Sequence, residues 1–597
     1  MTAIDEFFTH YYARRPVNAT FTGVHAYDGQ LPDWSPDGMA AMDDEMRAIG
    51  AALAKEFPAP ASAAAFRTSP DLLDAELARG FLEIQRAENT GPHGPRGNPS
   101  LWTGEAIFSI IAFMIRDFAP MEQRIESAGV RLAKLHAFLT LSHAKPIWVI
   151  EGARETIAAW EVGGPDKQTA TLGRHTPLPA PWIEKARRDC EGSRVLFSTG
   201  FERWLASVDL PPGTVSRLRD AVVDGRTRLR MFATPLESQP EAPESVMACG
   251  ADMFDLLLTR GHFCTRSRAD LLADARQRLS AARAELERLA RAVAGSWPDA
   301  QAQLATSRPA PDEYFAAFDA TWHACRTRAE EANAVSWPDD WPIRYAPYPA
   351  WTADAAPYLY YLHYRSPAPF DPYTTYDYVV PPVPTDPAEA EKHLRVWNHA
   401  TIKLNHVVHH GAIGHHVQNW YAYRQQRSRI GKVAGVDCAN RIGMFCGGTM
   451  TEGWACYATD LMEELGFLTP LERVSQQHTR VRLLARAIVD IELHQGTMSF
   501  EEAVAFYVEQ VGMSADAARS EAVKNSMYPC TGIMYWLGSQ TIHELRDEMK
   551  RREGPRFSLR RFHGELLANG SIPVPLVARM MTERSAPLPE RSDPLPG

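Results

Sequence analysis

The chain of 597 residues is marked first by what it lacks. No window holds the roughly 18 uninterrupted apolar residues of a membrane span. The opening MTAIDEFFTHYYARRP has no basic segment leading into an apolar one. Both absences predict a chain in the cytoplasm with no membrane partner. The eight cysteines (Cys190, Cys249, Cys264, Cys325, Cys438, Cys446, Cys456 and Cys530) form no C-x-x-C pair. They predict reduced, mostly buried thiols rather than a disulfide frame or a cysteine zinc site. The net charge of -10 is spread along the chain, and no basic patch interleaved with aromatics occurs, which excludes nucleic acid as the expected partner. H-E-x-x-H, the pattern that places two zinc ligands and a base on one helix, is missing as well. Without repeats or a flexible linker, residues 1–585 are expected to form a single large helical unit, with 586–597 as a Pro-rich disordered tail.

What is present is helical periodicity. Apolar residues recur at helical spacing over Thr2–Tyr12, Asp43–Glu56, Thr103–Arg124 and Ala128–Leu141, with a turn at Pro32–Pro36. Pro177–Pro181 breaks the pattern before a helix near Trp182. Ser267 and Asp270 cap a helix to Ala294, with Leu272, Ala275, Leu279, Ala282, Leu286 and Val293 as its apolar stripe. From Trp341 to Pro384 the composition turns to Pro and Tyr, which predicts short β-rich segments. Tyrosines there (Tyr358, Tyr360, Tyr361, Tyr364, Tyr373, Tyr376, Tyr378) pack at a sheet edge or line a cleft. Pro387 opens another helix after Asp386. Further helices start near Glu452, run from Arg473 to Leu493, and follow a Ser499–Glu502 capping box. The expected fold is mainly α, with a small β-rich segment before the histidine-bearing helix.

One stretch stands apart. Asn405–Trp420, NHVVHHGAIGHHVQNW, holds His406, His409, His410, His415 and His416, and Thr451–Tyr457 follows as TEGWACY with Glu452. Neutral imidazoles and a carboxylate are the donors that zinc prefers. The strict i, i+4 pair is His406 and His410, but Val407 stands where a base would be. On an ideal helix, residues i and i+6 are about 120° and about 9 Å apart. His409 or His410 could share a cation with His415 or His416 only if the helix bulges or breaks, for which Gly411 and Gly414 give freedom.

These segments resemble the bacterial domain of unknown function 885 family, zinc-peptidase-like helical proteins. Its pattern runs H-E-x-x-P-G-H-H, E-G-W-A-x-Y, R-x-x-x-D, P-G-Q-x-x-x-Y, then F-H-x-x-x-L-x-x-G. Here the corresponding residues are His409-His410-Gly-Ala-Ile-Gly414-His415-His416, Glu452-Gly453-Trp454-Ala455-Cys456-Tyr457, Arg486…Asp490 with His494, Pro529-Cys530-Thr531…Tyr535, and Phe562-His563…Gly570. Pro16–Tyr27 is also similar to the family's opening. The resemblance implies a large helical zinc-peptidase-like fold with zinc held by His409, by His415 or His416, and by Glu452. It also implies a Tyr535 that steadies an oxyanion, unless Tyr535 is a core residue. Arg486, Asp490 and His494 share a helical face as a salt-bridged network or as substrate contacts. The chain departs from the family at His410, where a presumed general-base Glu is expected, at Ile413, and at Thr531. His410 is then either base or extra ligand.

The resulting expectation is a zinc-dependent hydrolase, with iron or manganese still open, that cleaves a peptide or amide-like small molecule with metal-activated water. The alternatives are a metalloenzyme of other chemistry (lyase, isomerase or oxygenase) and an inactive metal- or ligand-binding descendant. A homodimer is allowed by the sequence.

Overall fold

The computed structural model describes residues 1–144, 178–236, 242–359, 366–372, 376–424, 426–439 and 441–583. The Pro-rich tail, Pro177, and Tyr360, Tyr361, Tyr364 and Tyr373 lie outside these residues. Within them the molecule is mainly α, with one two-stranded sheet.

Local chemistry explains most helix ends. Ser35 accepts the Gly38 amide at 3.0 Å, and Pro36 takes the first helical position, so the helix runs Pro36–Glu56. It therefore starts seven residues before the expected Asp43 and absorbs the end of the predicted turn. Thr103–Arg124 is not one helix. Pro99–Ile115 ends, Pro120 intervenes, and Met121–Ala144 begins. Arg124 folds back to donate to the carbonyls of Phe113, Arg116 and Ala119 at 3.1, 2.6 and 2.9 Å. It thus satisfies acceptors that a helix end leaves open. A strong apolar periodicity had masked that break.

Pro181 sits inside the first turn of Ala180–Val195, which buries Trp182. Ser267 caps Arg268–Ala294 as expected, but the buried stripe is Leu271, Ala275, Leu279, Leu286, Leu289 and Ala290. Leu272, Ala282 and Val293 only flank that core. The predicted face was therefore rotated by part of a turn. Asp386 caps the helix that Pro387 opens, accepting from Ala388 and Glu389 at 3.0 Å each. The Ser499–Glu502 capping box forms as expected.

The β-rich segment consists of β1 (Ile343–Pro347) and β2 (Tyr376–Val380), paired parallel with Tyr345 opposite Tyr378. Both tyrosines are buried and belong to the core that underlies the histidine segment. They pack rather than line the cleft. Tyr345 donates to the His406 carbonyl at 3.3 Å. The Tyr378 hydroxyl lies 2.8 Å from His406 Nδ1, and His406 stacks on Trp397 with ring centres 4.2 Å apart. This small sheet is the floor on which the histidine helix rests.

Candidate metal centre

The histidines are carried by a distorted backbone. Ile402–Gly411 is a π-helix, a form that widens the turn and is frequent at functional sites. Its last hydrogen bond runs from the Ala412 amide to the Val407 carbonyl at 2.8 Å. Ala412 then leaves helical conformation at φ -125°, ψ -119°, and a new helix runs from His415 to Arg424. Bulge and break both occur. Gly414 is needed there for space: a Cβ on it would sit 1.9 Å from the His409 carbonyl oxygen. The turn is also pinned from outside. Trp454 donates to the carbonyls of Ile413 and Gly414 at 3.0 and 3.2 Å, and Trp322 to that of Gly411 at 2.9 Å.

The effect is to bring three rings together. One nitrogen from each of His409, His410 and His415 lies within 4.8 Å of the others. Glu452 enters from the helix Gly448–Glu464. Its Oε2 lies 3.5 Å from His409 Nε2 and 3.8 Å from His415 Nε2. Glycine at 453 allows this, because that helix crosses Met534–Glu553 so closely that a Cβ would meet Gly538 Cα at 2.5 Å. The spacings are longer than ordinary hydrogen bonds. Tetrahedral zinc with ligands at about 2.1 Å sets neighbouring donors about 3.4 Å apart. Glu452, His409 and His415 are therefore spaced as donors around a common centre.

Protonation suits the same donor set. Burial pushes the pKa of His415 down to about 4, with Glu452 opposing and His409 assisting. Burial, followed by His409 and His415, lowers His410 well below the ordinary value. Burial alone would raise Glu452, but His409, His415 and Lys524 outweigh it and hold the carboxyl at about 2. The His410 Nδ1–H donates to the Asn405 carbonyl at 2.6 Å, so Nε2 is the ring's acceptor nitrogen. Metal-binding histidines commonly have such a backbone partner.

His416 is not part of this cluster. It is 1 % exposed, its Nε2–H donates to the Trp341 carbonyl at 2.9 Å, and burial lowers its pKa to about 4. Of the two histidines the sequence left open, only His415 stands beside His409 and Glu452.

Residues 16–581 match the family model described as "Bacterial protein of unknown function (DUF885)". The chain belongs to this family. Two solved structures are similar, each provisionally called a lipoprotein. That from Shewanella oneidensis, said to be of unknown function, is 17% identical, with a TM-score of 0.70, over 97% of this chain and 99% of its own. That from Colwellia psychrerythraea is 16% identical, with a TM-score of 0.69, over 97% and 98%. At such identity they speak to the fold alone. No curated protein matches.

In this DUF885 chain the cluster opens on a cleft of about 1370 Å³. His409, His410 and Glu452 line it together with Arg486, Lys524 and Tyr535. The Tyr535 ring lies between Arg486 and Lys524, 5.1 and 5.8 Å from their charged groups. On the expected face, Arg486 turns to a partner of its own, while His494 Nε2 lies 3.7 Å from Asp490 Oδ1. Arg486 donates to both oxygens of Glu521 at 2.7 and 2.6 Å. Asp490 accepts the Cys530 and Ile533 amides at 2.9 Å each, and burial raises it to about 7. His494 is wholly buried and donates to the Asn525 carbonyl at 2.9 Å. Residues spaced by four drift about 40° per step around a helix, so Arg486 reaches Glu521 while Asp490 and His494 stay together in the core. His494 and His416 do not line the cleft.

Sequence reasoning assigned no role to Lys524, the Asn405 carbonyl or the Trp454 indole. Trp454 was visible inside the E-G-W-A motif. Lys524 carries no sequence signal beyond standing shortly before Pro529.

Proposed function

We propose that this chain is a metal-dependent hydrolase, most simply a zinc enzyme, acting on a peptide or amide-like substrate in the cleft. The observation that carries the reading is the spacing of His409, His415 and Glu452, at 3.5 and 3.8 Å from nitrogen to carboxylate oxygen. These three residues would hold the metal. When bound, it would supply Lewis acidity toward a carbonyl and make water a better nucleophile. Burial keeps His415 neutral, and the neighbouring His409, His415 and Lys524 outweigh burial to keep Glu452 ionised, the states that bind a cation. His410, its Nδ1 proton fixed on Asn405, offers Nε2 either to accept a proton or to complete the donor set. Tyr535, on the same cleft wall, would orient the substrate carbonyl.

The test is elemental analysis of the purified chain, together with hydrolysis of a panel of short peptides and acyl amides. About one zinc per chain with amide turnover supports the reading. A chain that takes up no metal after reconstitution ends it.

A second reading is favoured by the third ring. Three imidazoles and a carboxylate also suit iron or manganese, which would make the chain a metalloenzyme of different chemistry. Iron or manganese in protein purified without added metal would select it. A metal site without turnover would leave a binding protein. Placement in the cytoplasm belongs to the same proposal. The similar solved chains are called lipoproteins, so cell fractionation is the direct check.

A further inference from the structure

The cleft carries an ammonium group with no ion-pair partner among the described residues. Lys524, on the helix Ala515–Met527, points its ammonium to within 5.8 Å of the Tyr535 ring centre. Arg486 approaches the same ring at 5.1 Å, but Glu521 takes both arms of its guanidinium. Lys524 has no such partner: among the described residues no carboxylate forms an ion pair with it and no acceptor takes its hydrogens. Its field reaches Glu452, whose carboxyl it helps keep ionised.

An ammonium inside a concave site is costly unless paired, and it draws in anions. The two carboxylates that feel it are engaged elsewhere, Glu521 by Arg486 and Glu452 beside His409 and His415. The geometry points to a substrate with a free carboxylate, seated on Lys524 against the Tyr535 ring, with its amide toward His409 and Glu452. A single ammonium is a point charge suited to one carboxylate, whereas phosphate is better met by an open guanidinium fork, and the fork of Arg486 is occupied. The cleft of about 1370 Å³ exceeds the ~300–1,000 Å³ of small-molecule pockets. That size favours a short peptide over a small metabolite. Lys524 is thus the specificity residue for a carboxylate-terminated peptide. This assignment rests on the metal-hydrolase reading for the direction of the substrate, but not for its charge.

The test is calorimetric titration of the zinc-loaded full chain with N-acetyl-dialanine and, separately, with its C-terminal amide. The acid is expected to bind about tenfold more tightly than the amide. In Lys524→Met that preference should fall to about twofold or less, with zinc content and melting temperature unchanged. Lys524→Arg should keep most of it, and the exposed control Lys55→Met all of it. Equal binding of acid and amide by the parent chain overturns the proposal. So does a preference that survives in Lys524→Met, which would mean that the carboxylate binds elsewhere. Inorganic phosphate binding more tightly than the acid overturns the carboxylate assignment, and so does an acid that fails to bind at about 10 mM. If the chain takes up no zinc, the metal reading fails separately. The acid–amide comparison is then made on the metal-free chain and judged by the same criteria.

Discussion

Two of the places where this molecule brings histidine to carboxylate differ in kind. At His25 the ring is clamped. Nδ1 lies 2.9 Å from Asp28 and Nε2 2.8 Å from Asp371, and the ring stacks on Phe118 at 3.9 Å. Burial alone would lower its pKa, but the two carboxylates outweigh burial and raise it to about 9. The buried Arg131 continues this network through Thr20, which itself bonds Asp28. At His409 and His415 the carboxylate stands beyond hydrogen-bond length, and burial keeps His415 neutral. A histidine closed by two carboxylates is an ion pair that ties chain segments together. Histidines held near a carboxylate without touching it leave room for a cation. The Pro16–Tyr27 segment therefore serves the scaffold, although it too resembles the family.

The largest effect that would sharpen the contrast is on metal. His409→Ala and Glu452→Ala should each lower zinc affinity by about 100-fold or more, while His25→Gln leaves it unchanged. Elemental analysis after dialysis against a chelator checks this. If His25→Gln lost zinc as well, the contrast would break. Next is the break between the two histidine helices. Gly414→Ala places a methyl on the His409 carbonyl and should destabilise the fold by about 3 kcal/mol or more, read by denaturant melting with zinc content followed in parallel.

His416→Ala should cost about 1–3 kcal/mol, because it orphans the Trp341 carbonyl and removes a packed ring. Its zinc should stay. Loss of zinc in the folded His416→Ala variant would return that residue to the site.

The His25 clamp predicts a pH dependence with a definite sign. Its folded pKa, about 9, is above the ordinary 6.5. Its contribution is therefore complete below about pH 6.5 and is lost as pH rises through about 9. His25→Gln should lose about 2 kcal/mol relative to the parent at pH 6, after allowance for partial exposure. That deficit should close by pH 10. A deficit that is constant with pH would mean that the ring acts by packing alone. The smallest effect is the baseline: Ser267→Ala removes one helix cap, bonded at 3.1 Å, and should cost about 1 kcal/mol in melting experiments.

Much of the architecture was legible. Caps at Ser267, Asp386 and Ser499 announce helices because a short side chain meeting a free amide is a local event. The break between Ile115 and Met121 was less so, since apolar spacing continues through it and Arg124 supplies the carbonyls' partners from the next helix. The candidate metal site was half legible. The two motifs named His409 and Glu452, but His415 and His416 are identical neighbours in sequence, and only packing against Trp341 separates them. Arg486, Asp490 and His494 share a face only in part, because four-residue spacing is an approximation to the helix period.

By itself the sequence determined a mainly helical chain of the DUF885 family, the histidine segment and its distant Glu452. These rest on periodicity, capping and motif order, which are properties of neighbours along the chain. Only the tertiary structure decided that the helix widens and breaks, that His415 turns inward while His416 is closed off, and that Arg486 belongs to Glu521. It also decided that Lys524 stands unpaired beside Tyr535. Each of these depends on which surfaces meet across hundreds of residues, and no local spacing encodes that.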